Sequence, residues 1–309
     1  MTDGRVNSWR FQRTFPSVLL HFSPTLKRIG IVGTLAVIAG SLFWGAKVLH
    51  EKAAQRQTKL KFQQIALGIR SYWEMVGEIS YKRSHPIPST GLAFEDVPWG
   101  TGHLPFPVQR AGEGPSSDWL LRNGKGRSLF SWRVSIMPFL EGLPNALDAS
   151  QPWDAESNRQ LLNGCVLFSY ELSDSPNKAR KVNGEAFPDA NALAITGPGT
   201  AFGDVEEGPK LRNEIPPDTI LVVESRESGI PWPAPGDFDI RTMPQKINAP
   251  EGMGVCSRHA GGFHVIFADG VVWFLSDKVP FETLKQFFTI AGAKNHDREK
   301  LLGPYALER

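Results

Sequence analysis

The run IGIVGTLAVIAGSLFWGA, from Ile29 to Ala46, contains no charged residue, and Val48 and Leu49 extend it past Lys47. A helix needs about 20 apolar residues to cross roughly 30 Å of hydrocarbon. A segment apolar on every face is hard to bury in a soluble domain of ordinary size. The run therefore reads as a transmembrane helix over residues 29–49, with the lipid bilayer as its partner. Lys47 can extend its ammonium to the interface, and Trp44 suits the interfacial zone. The segment starts late for a signal peptide and no small-residue processing site follows it. Residues 1–28 form a short arm carrying Arg5, Arg10, Arg13, Lys27 and Arg28 against Asp3. The other flank is nearly as basic, so size decides the orientation: the arm is expected in the cytoplasm and the large C-terminal part outside the cytoplasmic (inner) membrane.

The rest of the chain dilutes this segment, giving a mean hydropathy of -0.24 over 309 residues. With 34 Lys and Arg against 32 Asp and Glu, the formal charge is +2, which excludes a nucleic-acid surface covering the whole protein; no nucleic-acid partner is expected. The 30 Gly and 24 Pro imply long loops. Two cysteines exclude a disulfide-dense scaffold and a four-thiolate zinc site, and leave Cys165–Cys256 as a candidate disulfide outside the cytoplasm.

Leu60, Ile65, Ala66, Ile69, Trp73 and Val76 recur mostly at three- and four-residue steps, with Lys59, Lys61, Gln64 and Arg70 interleaved. One helix is expected over about 29–78, apolar in its first half and amphipathic in its second, ending before Pro86 and Pro88. Residues 85–118 read as irregular loop. A short helical region begins near Ser131 and is bounded or kinked by Pro138; another follows Asp154 and exits at Gly164. Strands are expected at 192–196 and 219–225. In GFHVIFADGVVWFLSD, Asp269-Gly270 between two β-favouring runs predicts a two-residue hairpin turn with both central residues at positive φ. That turn pairs Phe267 with Val272 and Ile266 with Trp273, and leaves both faces of the hairpin apolar. A helix over 281–291 and a charged tail over 294–309 close the chain. The expected fold class is α+β: a long N-terminal helix, transmembrane then amphipathic, packed on a small antiparallel sheet with long loop insertions, the extracytoplasmic domain occupying 50–293.

A half-membrane, half-amphipathic N-terminal helix followed by a small antiparallel sheet resembles the plan of type IV pilins and pseudopilins. His259, nine intervening residues and Asp269-Gly270 resemble the His-x9-Asp-Gly signature of a bacterial pilin-like family of unknown function, sometimes labelled a solute-binding family. SWRVSIMPFLE, QPWDAESNRQLL, AITGPGTAFGD, DTILVVES and IPWPAPGDFD agree with it in order, so the resemblance covers about residues 50–293. The prepilin cleavage signature is absent: Gly30 and Gly33 precede Ile31 and Thr34, the fifth positions are Leu35 and Ile38, and no acidic residue lies between Arg28 and Lys47. With that signature missing, the chain resembles a divergent, permanently anchored member of the pilin-like family.

The motif residues His259, Asp269 and Gly270 are the first candidates for a site. Asp269 suits the turn itself; His259, beside two glycines, faces a cleft or bonds a loop carbonyl; His264, among apolar neighbours, reads as a core histidine. No HExxH pair, clustered Cys/His set or calcium loop occurs, and Asp204, Glu206 and Glu207 read as a solvated acidic loop, so neither metal nor cofactor is expected. No nucleophile elbow or phosphate loop is present, and no enzymatic activity is expected. Trp232 and Glu224, with His259, combine an aromatic face and a carboxylate, the ingredients of a pocket for an extracellular glycan or solute; a Trp packing a Pro-rich loop onto the sheet is the other reading. Ala36-x3-Gly40 and Ser41-x3-Gly45 would let a second helix approach, either from another copy or from another pilin-like subunit. The expected role is a non-enzymatic structural or accessory subunit of a pilus-like or secretion-associated assembly, with a membrane-tethered glycan- or solute-binding module as the alternative.

Overall fold

The computed structural model describes residues 24–84, 129–140, 147–148, 151–164, 180–203, 209–249 and 254–309, with the side chains of the first helix described from Ser41 to Met75. The arm 1–23, the stretch 85–128, Cys165 and the acidic loop residues Asp204, Glu206 and Glu207 lie outside these residues. The chain divides into two units, Met1–His50 and Glu51–Arg309.

Helix α1 runs Pro24–Ser84. Among the described residues no helix is long and apolar enough to cross a membrane; residues 29–40, most of the uncharged run, lie outside the described side chains. In the first unit, Leu42, Phe43, Trp44 and Leu49 are each at least 70% exposed. In the second unit, α1 buries Ala54, Thr58, Phe62, Ile65, Ala66, Ile69, Tyr72 and Trp73, a stripe at three- and four-residue steps. Leu60, expected on this stripe, is 56% exposed, and its place is taken by Thr58, Lys59 and Lys61, all buried. The Lys59 ammonium is held by Glu308 at 2.8 Å and the Arg309 carbonyl at 2.7 Å.

The other elements are helices α2 (Trp132–Ile136) and α3 (Glu156–Gly164), and strands β1 (Arg180–Val182), β2 (Glu185–Phe187), β3 (Ala192–Thr196), β4 (Ile220–Glu224), β5 (Phe238–Asp239), β6 (Gly262–Phe267) and β7 (Val272–Ser276). Three short helices follow, α4 (Phe281–Lys285), α5 (Ile290–Asn295) and α6 (Arg298–Leu301), and then strand β8 (Ala306–Glu308). β1 and β2 form a hairpin of their own; the main sheet has the order β5-β3-β4-β6-β7-β8 and is antiparallel except for the β3–β5 pair. Every residue of β4, β6 and β7 is buried, so both faces of the sheet centre are covered.

Three expectations need correction. The β6–β7 register is one residue away from the predicted pairing: Ile266 pairs with Val272, and Val265 with Trp273. The loop is Ala268-Asp269-Gly270, closed by Gly270 N–H to the Phe267 carbonyl and by Phe267 N–H to the Val271 carbonyl. Only Gly270 of the three has positive φ, at 85°; Asp269 keeps an ordinary backbone and accepts the Val271 N–H on its side chain. A loop with one glycine in the left-handed region is one residue longer than a two-residue turn, and the added residue moves Val272 and Phe274 to the opposite face. Second, the helix expected over 281–291 breaks into α4 and α5, where Thr289 accepts the Gly292 N–H and restarts the chain. Third, the residues expected to form a charged tail fold: β8 pairs with β7, Arg298 lies over Phe267 and Trp273, and Arg309 lies over Trp273. Cation–π contact places these charges on the apolar sheet face, which is why a charged composition does not mean a solvated tail here.

Gly270 has open space where a Cβ would sit, so its substitution tests backbone conformation alone. Gly270→Ala is expected to destabilise the domain by about 1 kcal/mol, the cost of a left-handed L-residue, in urea unfolding followed by tryptophan fluorescence. An unchanged midpoint would remove the left-handed glycine as the reason for this register.

Candidate functional site

The β6–β7 register decides which side chains face α1. His264, Ile266, Val272 and Phe274 share that face; the β4 pairing of Val222 with Ile266 puts Glu224, one step along the same face, opposite His264. Phe62 of α1 lies over His264, with ring centroids 5.5 Å apart, and Phe274 flanks it at 4.8 Å. The strand opens with Gly262 because a Cβ there would meet the Leu275 carbonyl oxygen and the Phe274 ring. A fully buried ionisable pair thus sits among aromatic rings.

Glu224 is well supplied with donors. One carboxylate oxygen accepts the Ser257 hydroxyl at 2.5 Å. The other meets the His264 backbone N–H at 2.9 Å and His264 Nδ1 at 2.7 Å. The loop after residue 254 brings His259 to the same place: its N–H donates to Ser257 Oγ, and the Cys256 N–H donates to the Glu224 carbonyl. Helix α1 supplies the remaining partners. Glu51 meets His259 Nδ1 at 3.2 Å and also accepts the Ala260 N–H, while the Thr58 hydroxyl is 2.9 Å from His259 Nε2. The two imidazoles meet edge to face with centroids 5.7 Å apart. Among the described residues His264 Nε2, which is buried, has no hydrogen-bond partner, an arrangement that costs about 1–3 kcal/mol for a lone polar group. One potential ligand atom from each of Glu224, His259 and His264 lies within 4.8 Å of the other two.

Of the residues singled out from sequence, Glu224 and His259 meet in this cluster, and His264, read there as a core histidine, completes it. Trp232 is not available as an open aromatic platform: it is 2% exposed and packed in the core, its N–H bonding the Pro188 carbonyl and its own carbonyl accepting from Ser131 and Arg133. Asp269 holds its turn and pairs with Arg298 at 2.8 Å. Cys256 is buried, with its sulfur 3.4 Å from the Arg226 amide and 3.8 Å from Ser225 Oγ. Ser257, Thr58 and Glu51 carry no motif of their own; an Ser two residues before His259 in CSRH is the nearest signal.

A second polar centre lies in the core. Arg133, wholly buried in α2, donates to the carbonyls of Trp232, Ala192, Ala234 and Gly236 and pairs with Asp237 at 2.9 Å. Asp237 also accepts Trp132 Nε1 and the Ala194 N–H. Burial pushes the Asp237 carboxyl above the usual carboxylate range, and the Arg133 charge with these hydrogen bonds draws it back. This pair ties α2, β3 and the loop 232–237 together, and β3 in turn pairs Ala192 with Glu224.

No curated protein and no solved structure matches the chain. Residues 199–282, which carry β4 to β7 and with them Glu224, His259, His264 and Asp269-Gly270, match a family described as "Protein of unknown function (DUF1559)". The central sheet and its buried cluster therefore fall in a segment similar to a family of unknown function.

Proposed function

We propose that the protein is a membrane-anchored, non-enzymatic, pilin-like envelope protein, a structural or accessory subunit of a pilus-like or secretion-associated assembly, with residues 51–309 outside the cytoplasmic membrane. The observation that carries this reading is the change of character along α1. Residues 42–49 expose Leu42, Phe43, Trp44 and Leu49, whereas residues 54–73 bury one stripe on the sheet. A cluster of exposed large apolar side chains marks a surface for a membrane or another protein, and the uncharged run Ile29 to Ala46, to which Leu42, Phe43 and Trp44 belong, supports lipid as the medium. The buried Trp232 weighs against glycan or solute recognition by an exposed aromatic face.

Alkaline carbonate extraction of membranes tests the anchor. The full chain is expected to stay in the pellet. The double substitution Ala36→Arg, Ile38→Arg is expected to move it to the supernatant, since each central Arg costs about 2.5–3.5 kcal/mol on insertion scales. Release of the unaltered chain would sink the anchor. A photo-crosslinking residue at position 36 then tests assembly: adducts with a second copy or a pilin-like neighbour are expected, and lipid adducts alone would leave an anchored protein with no assembly role.

A further inference from the structure

We propose that Glu224, His259 and His264 form a buried site for one divalent transition-metal ion, with zinc the best fit, that fastens β4, β6 and the loop 254–261 together beneath α1. Potential ligand atoms from the three residues lie within 4.8 Å of one another, and all three residues are buried. Two imidazoles and one carboxylate are a recurrent three-residue zinc set, and imidazole nitrogen selects zinc and its neighbours over calcium or magnesium.

The surroundings of the two rings carry the assignment further. Metal-bound histidines usually give their other ring N–H to a carboxylate, which fixes the tautomer and aims the free lone pair. His259 has such a partner at Nδ1 in Glu51, 3.2 Å away, which leaves its Nε2 lone pair facing the Thr58 hydroxyl at 2.9 Å. Glu224 and His264 Nδ1, 2.7 Å apart, already stand side by side as the other two ligands. Ligands about 2.0–2.1 Å from zinc lie about 3.3 Å from each other in a tetrahedron, so a bound ion would part Glu224 and His264 Nδ1 slightly and draw His259 off Thr58. A divalent ion would also supply positive charge beside the wholly buried Glu224 carboxylate.

The framework is rigid where a metal site needs it to be. Glu224 and His264 stand opposite each other on paired strands, and His259 is held through its own N–H by Ser257 and through the neighbouring Ala260 N–H by Glu51. Glu51, whose side chain is 41% exposed, joins the buried His259 ring to the protein surface. His259 and His264 make an H-x4-H pair, a spacing found in zinc sites, but Glu224 lies 35 residues before His259, so the sequence holds no complete compact motif.

The test uses the full chain in detergent, stripped with EDTA and then dialysed against Zn²⁺ or Co²⁺. After desalting, elemental analysis is expected to find about one zinc per chain, Co²⁺ to develop visible d–d absorption, and Zn²⁺ to raise the melting temperature. His264→Gln and His259→Gln should each lose the retained ion and the cobalt bands. Glu51→Gln, at the residue that bonds His259 Nδ1 and the Ala260 N–H but is no ligand, should weaken Zn²⁺ binding about 10- to 100-fold with an unchanged circular-dichroism spectrum. Unaltered, folded protein that retains no zinc and gives no cobalt bands would overturn the site and leave a cluster held by hydrogen bonds alone. Equal retention by His264→Gln would overturn it too, by placing the ion elsewhere. Should the histidine variants fail to fold, the cobalt spectrum of the unaltered chain and the Glu51→Gln titration still decide. Anchorage and assembly are separate readouts, so either proposal can fail without the other.

Discussion

Arg133→Ala is expected to remove about 3–5 kcal/mol of stability from the domain, enough in a fold of ordinary stability to leave much of it unfolded at 37 °C. Arg133 is wholly buried, and its guanidinium reaches four backbone carbonyls and one carboxylate oxygen. The alanine variant loses the counter-charge of a buried Asp237 and orphans carbonyls from β3 and the loop 232–237 together. Arg133→Lys should recover little, because a single ammonium cannot serve a forked set of five acceptors. The measurement is urea unfolding at 25 °C of the full chain in detergent. A loss below about 1 kcal/mol would mean that solvent reaches these carbonyls and that the pair is not closed.

The same variant carries a signed pH dependence. Burial raises the folded-state value of Asp237 above its unfolded value, so protonation favours the folded state. That contribution is fully present below the unfolded carboxylate value, about 3.9, and is lost as pH rises through the folded value. In the unaltered protein, Arg133 and the hydrogen bonds oppose the rise. Without Arg133 the folded value climbs further, and the neutral acid becomes the form that the core tolerates. The stability deficit of Arg133→Ala should therefore be smaller at about pH 4.5 than at about pH 7, the opposite of ordinary acid denaturation. An equal or larger deficit in acid would show that Asp237 stays ionised through its other donors.

Particular residues show where the sequence was legible. The β6–β7 hairpin announces itself in Asp269-Gly270 between two β-favouring runs, and the strands 192–196 and 220–224 in short apolar stretches between Pro and Gly. Register was not legible, because Asp-Gly serves both a two-residue turn and a longer loop in which glycine alone is left-handed. That single residue decides whether Phe274 joins His264. On α1, three- and four-residue spacing marks Ile65, Ile69 and Trp73, yet spacing alone favoured Leu60 over Thr58. Thr58 and Lys59 are buried for reasons that lie at the other end of the chain, in His259 and in Glu308. Glu224 and His259 stood out as chemistry-bearing residues, but they were grouped with Trp232, whose burial depends on contacts with Arg133 and Pro188 that no local pattern encodes. The first charge of the C-terminal segment to be reread, Arg298, is likewise explained by the two aromatic rings beneath it.

His264→Ala, measured with EDTA present so that no ion contributes, is expected to cost about 3–5 kcal/mol. The variant removes the Nδ1 donor from a carboxylate that is wholly buried, and leaves a cavity beside Phe62 and Phe274. Ser257 and the residue-264 backbone N–H remain as donors, which keeps the loss from growing further. The reverse truncation, Glu224→Ala, should be milder, because it leaves a neutral imidazole and a hydroxyl unpaired in place of a charge. Replacing both partners changes the outcome. In Glu224→Leu, His264→Phe the new side chains meet a face already lined by Phe62, Ile266 and Phe274, and exchanging both partners of a buried hydrogen bond for apolar groups of similar shape is often neutral or stabilising. The double variant should therefore regain most of the stability lost in His264→Ala while retaining no zinc. A double variant as unstable as the single one would mean that the polar network from Ser257 through His259 to Glu51 is what holds α1 to the sheet. Recovery would mean instead that packing holds the helix, and that this polar pair persists in an apolar face for what it binds.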